Sequence, residues 1–168
     1  FINNADMRDL AESNNFIVVY PQGLDLGGTG SHWNCSNPSA DNKSDVDDIG
    51  FIENLIDQLI LDYPVIDSKR IYAAGYSNGG FMSYYLACNS KKFAAIGSVA
   101  GTMLDDSYQS CNANFPTAMI NIHGTNDFDV PYDGNTYYPS IPEVVDWWKN
   151  FNNTPNEDLL TNQDGSIE

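Results

Sequence analysis

The chain reads RIYAAGYSNGGFMSYYLAC over residues 70–88, and this stretch decides the fold. Its first six residues are mostly apolar and predict a strand, whereas residues 78–88 predict a helix. The strand and the helix meet at Gly75-Tyr-Ser-Asn-Gly79, which fits the pattern G-x-S-x-G. That pattern requires a strand before it and a helix after it, and both are predicted here.

The serine of this pattern is a candidate nucleophile. A serine at a sharp strand-to-helix turn has a strained backbone, and neighbouring glycines let the strand and the helix close together. The hydroxyl of Ser77 would then stand at a helix N-terminus, where the dipole and free N–H groups favour negative charge. We predict that Ser77 is the nucleophile and that the backbone N–H of Asn78 is an oxyanion donor. The alternative is a tight turn with a capping serine.

Strands and helices alternate along the rest of the chain. Further strands are predicted at residues 16–20, 93–100 and 118–122, and further helices at residues 3–14, 45–63 and 141–151. This alternation predicts an α/β fold, a mostly parallel sheet with helices on both faces. Ligand sites in such sheets lie beyond the carboxyl ends of the strands. The length of 168 residues predicts a single domain over residues 1–168.

The helix over residues 45–63 begins with an acidic run that could be mistaken for a metal site. Ser44 or Asp45 can cap the N-terminus of this helix, because both have a short side chain with an oxygen acceptor. Asp47 and Asp48 fall in the first turn, where the helix dipole favours negative charge. We therefore interpret this run as a helix start and predict no metal site.

A candidate acid follows the strand predicted at residues 118–122, in the sequence His123-Gly-Thr-Asn-Asp127. An enzyme with a serine elbow holds the acid that orients its histidine just past a later strand, in the chain order Ser, Asp, His. Asp127 is the candidate for this role. Asp129 and Asp133 are alternatives, because a shift of two residues keeps a side chain near the same edge.

The general base is harder to find, because the chain has two histidines and neither follows Asp127. We interpret His123 as structural or as a loop contact. His32 lies in the loop over residues 24–44, which is too long to be idle in a compact domain and is either functional or mobile. Its position in the chain order is wrong for the base, so we expect the missing base beyond Glu168.

Composition excludes several classes of function. Seven basic and 23 acidic side chains give a formal charge of −16, which disfavours nucleic-acid binding. A membrane-spanning helix is not predicted, because no run of about 18 apolar residues occurs. Cys35, Cys88 and Cys111 allow one disulfide in three pairings.

Five segments together resemble a known family: residues 16–23, 45–51, 75–80, 99–102 and 123–127. They are similar to the secreted polyhydroxybutyrate depolymerase and feruloyl esterase group of α/β-hydrolases, related to carbohydrate esterase family one. The resemblance implies an α/β-hydrolase fold, with Ser77 as the nucleophile, Asp127 as the triad acid and Asn78 as one oxyanion donor. It also implies a secreted esterase without a cofactor. Its substrate would be a polyhydroxyalkanoate or a feruloyl or acetyl ester of a polysaccharide.

The same resemblance implies a substrate loop and two missing parts. The pair Trp33-Asn34 matches a loop near the entrance to the site, which makes His32 and Trp33 candidates for contact with substrate. The family's oxyanion loop would precede Phe1, and its catalytic histidine would follow Glu168. We therefore expect an internal fragment of a longer enzyme, with little or no esterase activity of its own.

A second hypothesis is a binding domain for carbohydrate or a protein partner that has kept the fold and lost the activity. Clustered aromatic residues could support it, namely Tyr132, Tyr137, Tyr138, Trp147 and Trp148. We expect the two tryptophans to pack a helix instead, because they share an apolar stripe with their helical neighbours.

Overall fold

The structure is a computed structural model that describes residues 5–28, 30–36 and 44–154. The chain divides into two compact units, Phe1–His32 and Trp33–Glu168. The organisation of residues 1–168 as a single domain stays a prediction.

The first unit contains one helix and a short ladder. Helix α1 spans Arg8–Asn14, and its C-cap is Asn15, whose φ of 54° lies in the left-handed region. Strands β1 (Leu24–Asp25) and β2 (Ser31–His32) pair antiparallel. The helix predicted over residues 3–14 thus begins later, and its first two residues lie outside the described ones.

The strand predicted over residues 16–20 is wrong. In the described part of the first unit these residues join no ladder, and Phe16, Ile17 and Val19 are exposed. An apolar run becomes a strand only when another strand pairs with it. The two short strands of this unit pair with each other, within the predicted loop over residues 24–44. Residues 29 and 37–43 of that loop lie outside the described residues.

The second unit is built on a parallel sheet of three strands, as predicted. Strands β3 (Tyr72–Tyr76), β4 (Ala95–Val99) and β5 (Ala118–Ile122) lie in the order β3-β4-β5. Their last residues are in register, Tyr76 opposite Val99 and Val99 opposite Ile122. The turns that follow β3 and β5 therefore leave the sheet at the same edge.

Four helices accompany this sheet. Their bounds are α2 Asp48–Asp62, α3 Asn78–Asn89, α4 Asp105–Ser110 and α5 Ile141–Phe151. The prediction missed α4, which has six residues and is too short to show an apolar stripe. The others lie where they were predicted, within three residues at each end.

The caps of two helices explain where they begin. The side chain of Asp47 caps α2 and accepts from the N–H of Gly50 at 2.8 Å, so the predicted caps Ser44 and Asp45 were wrong. Helix α5 starts with a reciprocal capping box between Ser140 and Glu143. Each cap satisfies a backbone N–H that the first helical turn leaves without a partner.

The core of the second unit lies between the helices and one face of the sheet. Trp148 of α5 is fully buried, and its ring lies 6.2 Å from that of Tyr84 in α3. Trp147 stacks on Phe151 of the same helix, with a centroid distance of 5.3 Å. The prediction that both tryptophans pack a helix is confirmed.

The opposite face of the sheet is apolar and exposed. Its side chains alternate along the strands with those of the buried face, and its larger members are Tyr72, Tyr76, Val99, Ile120 and Ile122. Helix α3 packs against β3 and β4 from the buried face.

A disulfide joins Cys88, near the end of α3, to Cys111, which directly follows α4. This selects one of the three pairings that the sequence left open. Cys35 lies outside this bond and is buried. Within the described residues, no helix is long and apolar enough to cross a membrane.

Candidate active site

Ser77 occupies the turn between β3 and α3 in a strained backbone conformation. Its φ is 51° and its ψ is −118°, a region that residues with a side chain rarely adopt. Its N–H donates to the carbonyl of Val99 at 2.8 Å, and its own carbonyl accepts from the N–H of Gly80 at 2.7 Å. Since the sheet and the helix both hold its backbone, they can maintain this strain.

Close packing around the turn depends on two glycines. A Cβ at Gly75 would lie 2.2 Å from the carbonyl group of Gly79, and a Cβ at Gly80 would lie 2.5 Å from the hydroxyl of Ser98. A Cβ at Gly79 would meet nothing within 4 Å. The predicted steric role is therefore confirmed at Gly75 and wrong at Gly79. The close contact at Gly80 was missed, although the Gly-Gly pair in the sequence could have indicated it.

The hydroxyl of Ser77 makes no capping hydrogen bond to α3, although Ser77 is the residue at the N-cap position. The alternative of a tight turn with a capping serine is therefore wrong. Helix α3 begins at Asn78, whose backbone N–H belongs to the first turn, where N–H groups have no partner within the helix. A hydroxyl without a capping bond thus lies next to the first-turn N–H of Asn78, an arrangement suited to nucleophilic attack with oxyanion stabilisation.

Trp33 is held against the residue that follows the serine. The backbone N–H of Trp33 donates to Oδ1 of Asn78 at 2.8 Å, and Nδ2 of Asn78 donates back to the Trp33 carbonyl at 3.0 Å. The Trp33 ring stacks on Phe51 with a centroid distance of 6.3 Å. This use of the Asn78 side chain was missed, because nothing in the sequence indicates a contact between positions 45 residues apart.

The other candidate of the substrate loop, His32, belongs to the first unit. It pairs with Leu24 in the ladder of β1 and β2. Its contact with substrate stays a prediction.

Asp127 lies in the turn after β5 with its carboxylate held by the backbone. Its Oδ1 accepts from the N–H of Val130 and from the N–H of Asp129, each at 2.9 Å. These two bonds, the one from Val130 first, and the nearby His123 lower the pKa of this carboxyl below its ordinary value. The alternatives Asp129 and Asp133 are exposed, whereas the side chain of Asp127 is 19% exposed.

His123 contacts the same turn through its ring. Its side chain is 1% exposed, and its Nε2 lies 2.8 Å from the carbonyl of Val130 and 3.6 Å from Oδ2 of Asp127. Since a carbonyl only accepts, we assign the proton to Nε2. The expectation that His123 is structural or makes a loop contact is confirmed by its contact with the Val130 carbonyl.

The turns that carry Ser77 and Asp127 lie two strands apart at one edge. The N–H of Ala100, which follows β4, donates to the carbonyl of Ile122 at 2.9 Å, so the register continues past the last strand residues. Two strand spacings correspond to about 10 Å. A Ser–His–Asp site would need an imidazole between the two side chains, and His123 already uses its Nε2 within the second turn.

A parallel sheet, a serine at positive φ between strand and helix, and a carboxylate after a later strand define the class of α/β-hydrolases. Residues 6–115 match the model of the prolyl oligopeptidase family. The chain belongs to this family.

Curated relatives are named as esterases. The chain is 32% identical over 127 residues to the bifunctional acetylxylan esterase/xylanase of Neocallimastix patriciarum, covering 74% of the chain and 16% of that protein. It is 35% identical over 120 residues to a probable feruloyl esterase C of Aspergillus niger and 34% identical over 120 residues to feruloyl esterase C of Emericella nidulans. In both cases 70% of the chain and 38% of the relative are covered. The resemblance to feruloyl esterases inferred from the motifs is confirmed, and the chain spans well under half the length of these relatives.

Proposed function

We propose that the protein is a serine carboxylic-ester hydrolase with Ser77 as its nucleophile. The observation that carries the proposal is the turn at Ser77. There a residue with a positive φ stands at a helix N-terminus, and its hydroxyl does not cap the helix. A backbone strained in this way, and a serine that gives no cap to its helix, support a catalytic role over a structural one.

The reaction follows from this geometry. Ser77 Oγ attacks the ester carbonyl and gives its proton to a histidine, while the N–H of Asn78 donates to the developing oxyanion. The histidine returns the proton to the leaving alcohol, and an acyl-enzyme remains. Water then attacks the acyl group with the same histidine as base, which releases the acid and restores Ser77. Asp127 orients the histidine and stabilises its charged form.

We further propose that the histidine and a second oxyanion donor come from outside these 168 residues. No histidine follows Asp127 in the sequence, and His123 is engaged within its own turn. Losing one oxyanion donor typically lowers the rate about 10²–10³-fold, and losing the base removes most of what remains. The 168-residue chain alone should then have little or no esterase activity.

Esters carried by polysaccharides are the proposed substrates. The names of the relatives, acetylxylan esterase and feruloyl esterase, support acetyl or feruloyl esters. A polyhydroxyalkanoate remains a second substrate class to be tested, since the same nucleophile would cleave any accessible acyl ester.

We also propose that the protein is secreted. The disulfide between Cys88 and Cys111 supports this location, because such bonds form and persist in oxidising compartments.

Labelling with a fluorophosphonate probe tests the nucleophile. The full-length protein should be labelled, its Ser77→Ala variant should not, and the matched control Ser110→Ala, at an exposed serine, should label as the wild type does. Labelling of the 168-residue chain at the same rate would show that a base lies within it and would make His32 the first histidine to replace. A full-length protein that stays unlabelled would overturn the proposal and favour a binding domain.

The substrate class is tested by measuring acid released from four substrates by the full-length protein. Acetylxylan and methyl ferulate should be hydrolysed, and Ser77→Ala should abolish this release. Polyhydroxybutyrate films test the polyester, and a prolyl peptide tests the peptidase activity for which the matched family is named. Peptide cleavage without ester cleavage would contradict the proposed function.

A further inference from the structure

The segment Trp33–Cys35, here named the 33–35 strap, is anchored beside the serine turn by one side chain. The carboxamide of Asn78 accepts from the N–H of Trp33 and donates to its carbonyl, so both backbone groups of this residue are bound. The same Nδ2 lies 3.5 Å from the sulfur of Cys35. A residue in the first turn of a helix thus directs its side chain away from the helix and onto a segment 45 positions earlier.

Other anchors hold the rest of the strap. The N–H of Asn34 donates to Oδ2 of the buried Asp48 at 2.7 Å, at the first residue of α2. The hydroxyl of the buried Ser107, in α4, donates to the carbonyl of Cys35 at 3.0 Å. Of these anchors, Asn78 is the one adjacent to Ser77 in the chain.

We propose that the side chain of Asn78 is a positioning residue that holds the 33–35 strap, and with it the Trp33 ring, as a wall of the acyl-binding site. The inference rests on the proposed function, since it assigns the wall to the site of Ser77. Asparagine suits the task because one side chain offers both a donor and an acceptor at the spacing of a backbone pair. Neither aspartate nor alanine offers both.

The ring that the strap carries is suited to contact an acyl group. Trp33 is half-buried and stacks on the exposed Phe51, so the pair presents aromatic surface to solvent. Aromatic surface binds apolar and aromatic groups in offset or edge-to-face arrangements. Loosening the strap should therefore weaken binding of a bulky aromatic acyl group more than it changes the chemical step.

A double-mutant cycle on the full-length protein tests this with methyl ferulate as substrate. Asn78→Ala keeps the backbone N–H and is expected to raise KM about tenfold, with a smaller change in kcat. Trp33→Ala is expected to raise KM by a similar factor. The KM of the double variant should rise no further than that of either single variant, because Asn78 acts through the placement of Trp33. Effects that multiply to about a hundredfold, or a loss confined to kcat, would overturn the proposal.

Hydrogen exchange gives a readout that does not depend on activity. The amide of Trp33 should lose protection at least tenfold in Asn78→Ala and keep it in the control Ser83→Ala, whose hydroxyl bonds to Gly79 within α3. Unchanged protection in Asn78→Ala would contradict the strap's dependence on this side chain. A wild type that hydrolyses no ester would refute the proposed function instead, and the exchange result would still stand.

A further variant covers the case in which Asn78→Ala does not fold. Ser107→Ala removes a different anchor of the same strap without touching the serine turn. It should raise KM in the same direction and expose the strap's amides to exchange. A KM and an exchange rate equal to those of the wild type would count against a positioned strap.

Discussion

The turns that follow β3 and β5 lie at the same edge of the sheet but differ in what their side chains contribute. At Ser77, whose φ is 51°, backbone hydrogen bonds and the close approach of Gly75 to Gly79 hold the turn without the serine side chain. The turn at Asp127 is fixed by hydrogen bonds from two N–H groups to a carboxylate and from the ring of His123 to a carbonyl.

This difference matches the chemistry proposed for each turn. A nucleophile needs a hydroxyl that its own helix does not engage, and the backbone contacts that hold the Ser77 turn leave its side chain without a capping bond. An acid needs a carboxylate that stays ionised and keeps its direction, and N–H donors achieve both for Asp127. The first turn should therefore respond to added volume, and the second to changes in charge and hydrogen bonding.

The largest expected effect comes from Asp127→Asn in the full-length protein. The amide oxygen can still accept from the two N–H groups, so the turn should keep its shape, but a neutral group cannot stabilise the charged histidine. We expect kcat for ester hydrolysis to fall about 10³–10⁴-fold. The measurement is the initial rate of acid release from methyl ferulate.

Asp129→Asn is the matched control, since Asp129 lies two residues away and is exposed. Its rate should stay within about twofold of the wild type, as is usual for surface substitutions. If Asp129→Asn loses the activity and Asp127→Asn keeps it, the acid is Asp129 and the carboxylate held by the backbone is structural.

Added volume distinguishes the two motif glycines of the Ser77 turn. Gly75→Ala places a methyl group 2.2 Å from the Gly79 carbonyl, and we expect a loss of about 3 kcal/mol in the free energy of unfolding. Gly79→Ala meets open space and replaces a glycine within a helix, so it should leave stability unchanged or raise it by up to about 1 kcal/mol. Urea unfolding measures both. Equal losses in the two variants would show that the turn is not held by this contact.

Most strands and helices of the second unit could be predicted from the sequence, because the patterns that indicate them are local. The strand before Ser77 and the helix after it are adjacent in the chain, and β5 and α5 were predicted with their observed bounds. Apolar patterns act within a few residues, so one sequence is enough to read them.

Long-range pairing accounts for what could not be predicted. Residues 16–20 have the composition of a strand, but whether they form one depends on a partner that no local pattern reveals. The contact of Asn78 with Trp33 and the choice of Cys88 with Cys111 also join distant positions. Of the site, the sequence therefore indicated the nucleophile and acid candidates and missed the side chain that holds the strap.

His123→Ala tests the hydrogen bonds of the Asp127 turn. It is expected to lower the free energy of unfolding by less than Gly75→Ala does. The substitution removes a buried ring and leaves the carbonyl of Val130 without its donor. We expect the free energy of unfolding to fall by about 2 kcal/mol. Phe128→Ala is the control in the same turn, because Phe128 is 95% exposed and should change stability by less than about 0.5 kcal/mol. A larger loss from Phe128→Ala would show that contacts outside these hydrogen bonds hold the turn.

The smallest expected effect is on how the free energy of unfolding depends on pH. Asp127 should contribute such a dependence, and the contact at the Ser77 turn should not. The pKa of Asp127 is lower in the folded chain than its ordinary value near 3.8, so its ionised form stabilises the fold. That contribution is complete above the unfolded pKa and disappears as pH falls through the lower folded pKa. The difference in unfolding free energy between the wild type and Asp127→Asn should thus be constant from pH 7 to about pH 5 and shrink below about pH 4.

The same difference for Gly75→Ala should not change with pH, because steric contact involves no proton. A pH-independent gap for Asp127→Asn would mean that the two N–H donors bind the amide as well as they bind the carboxylate, and that charge does not hold the turn.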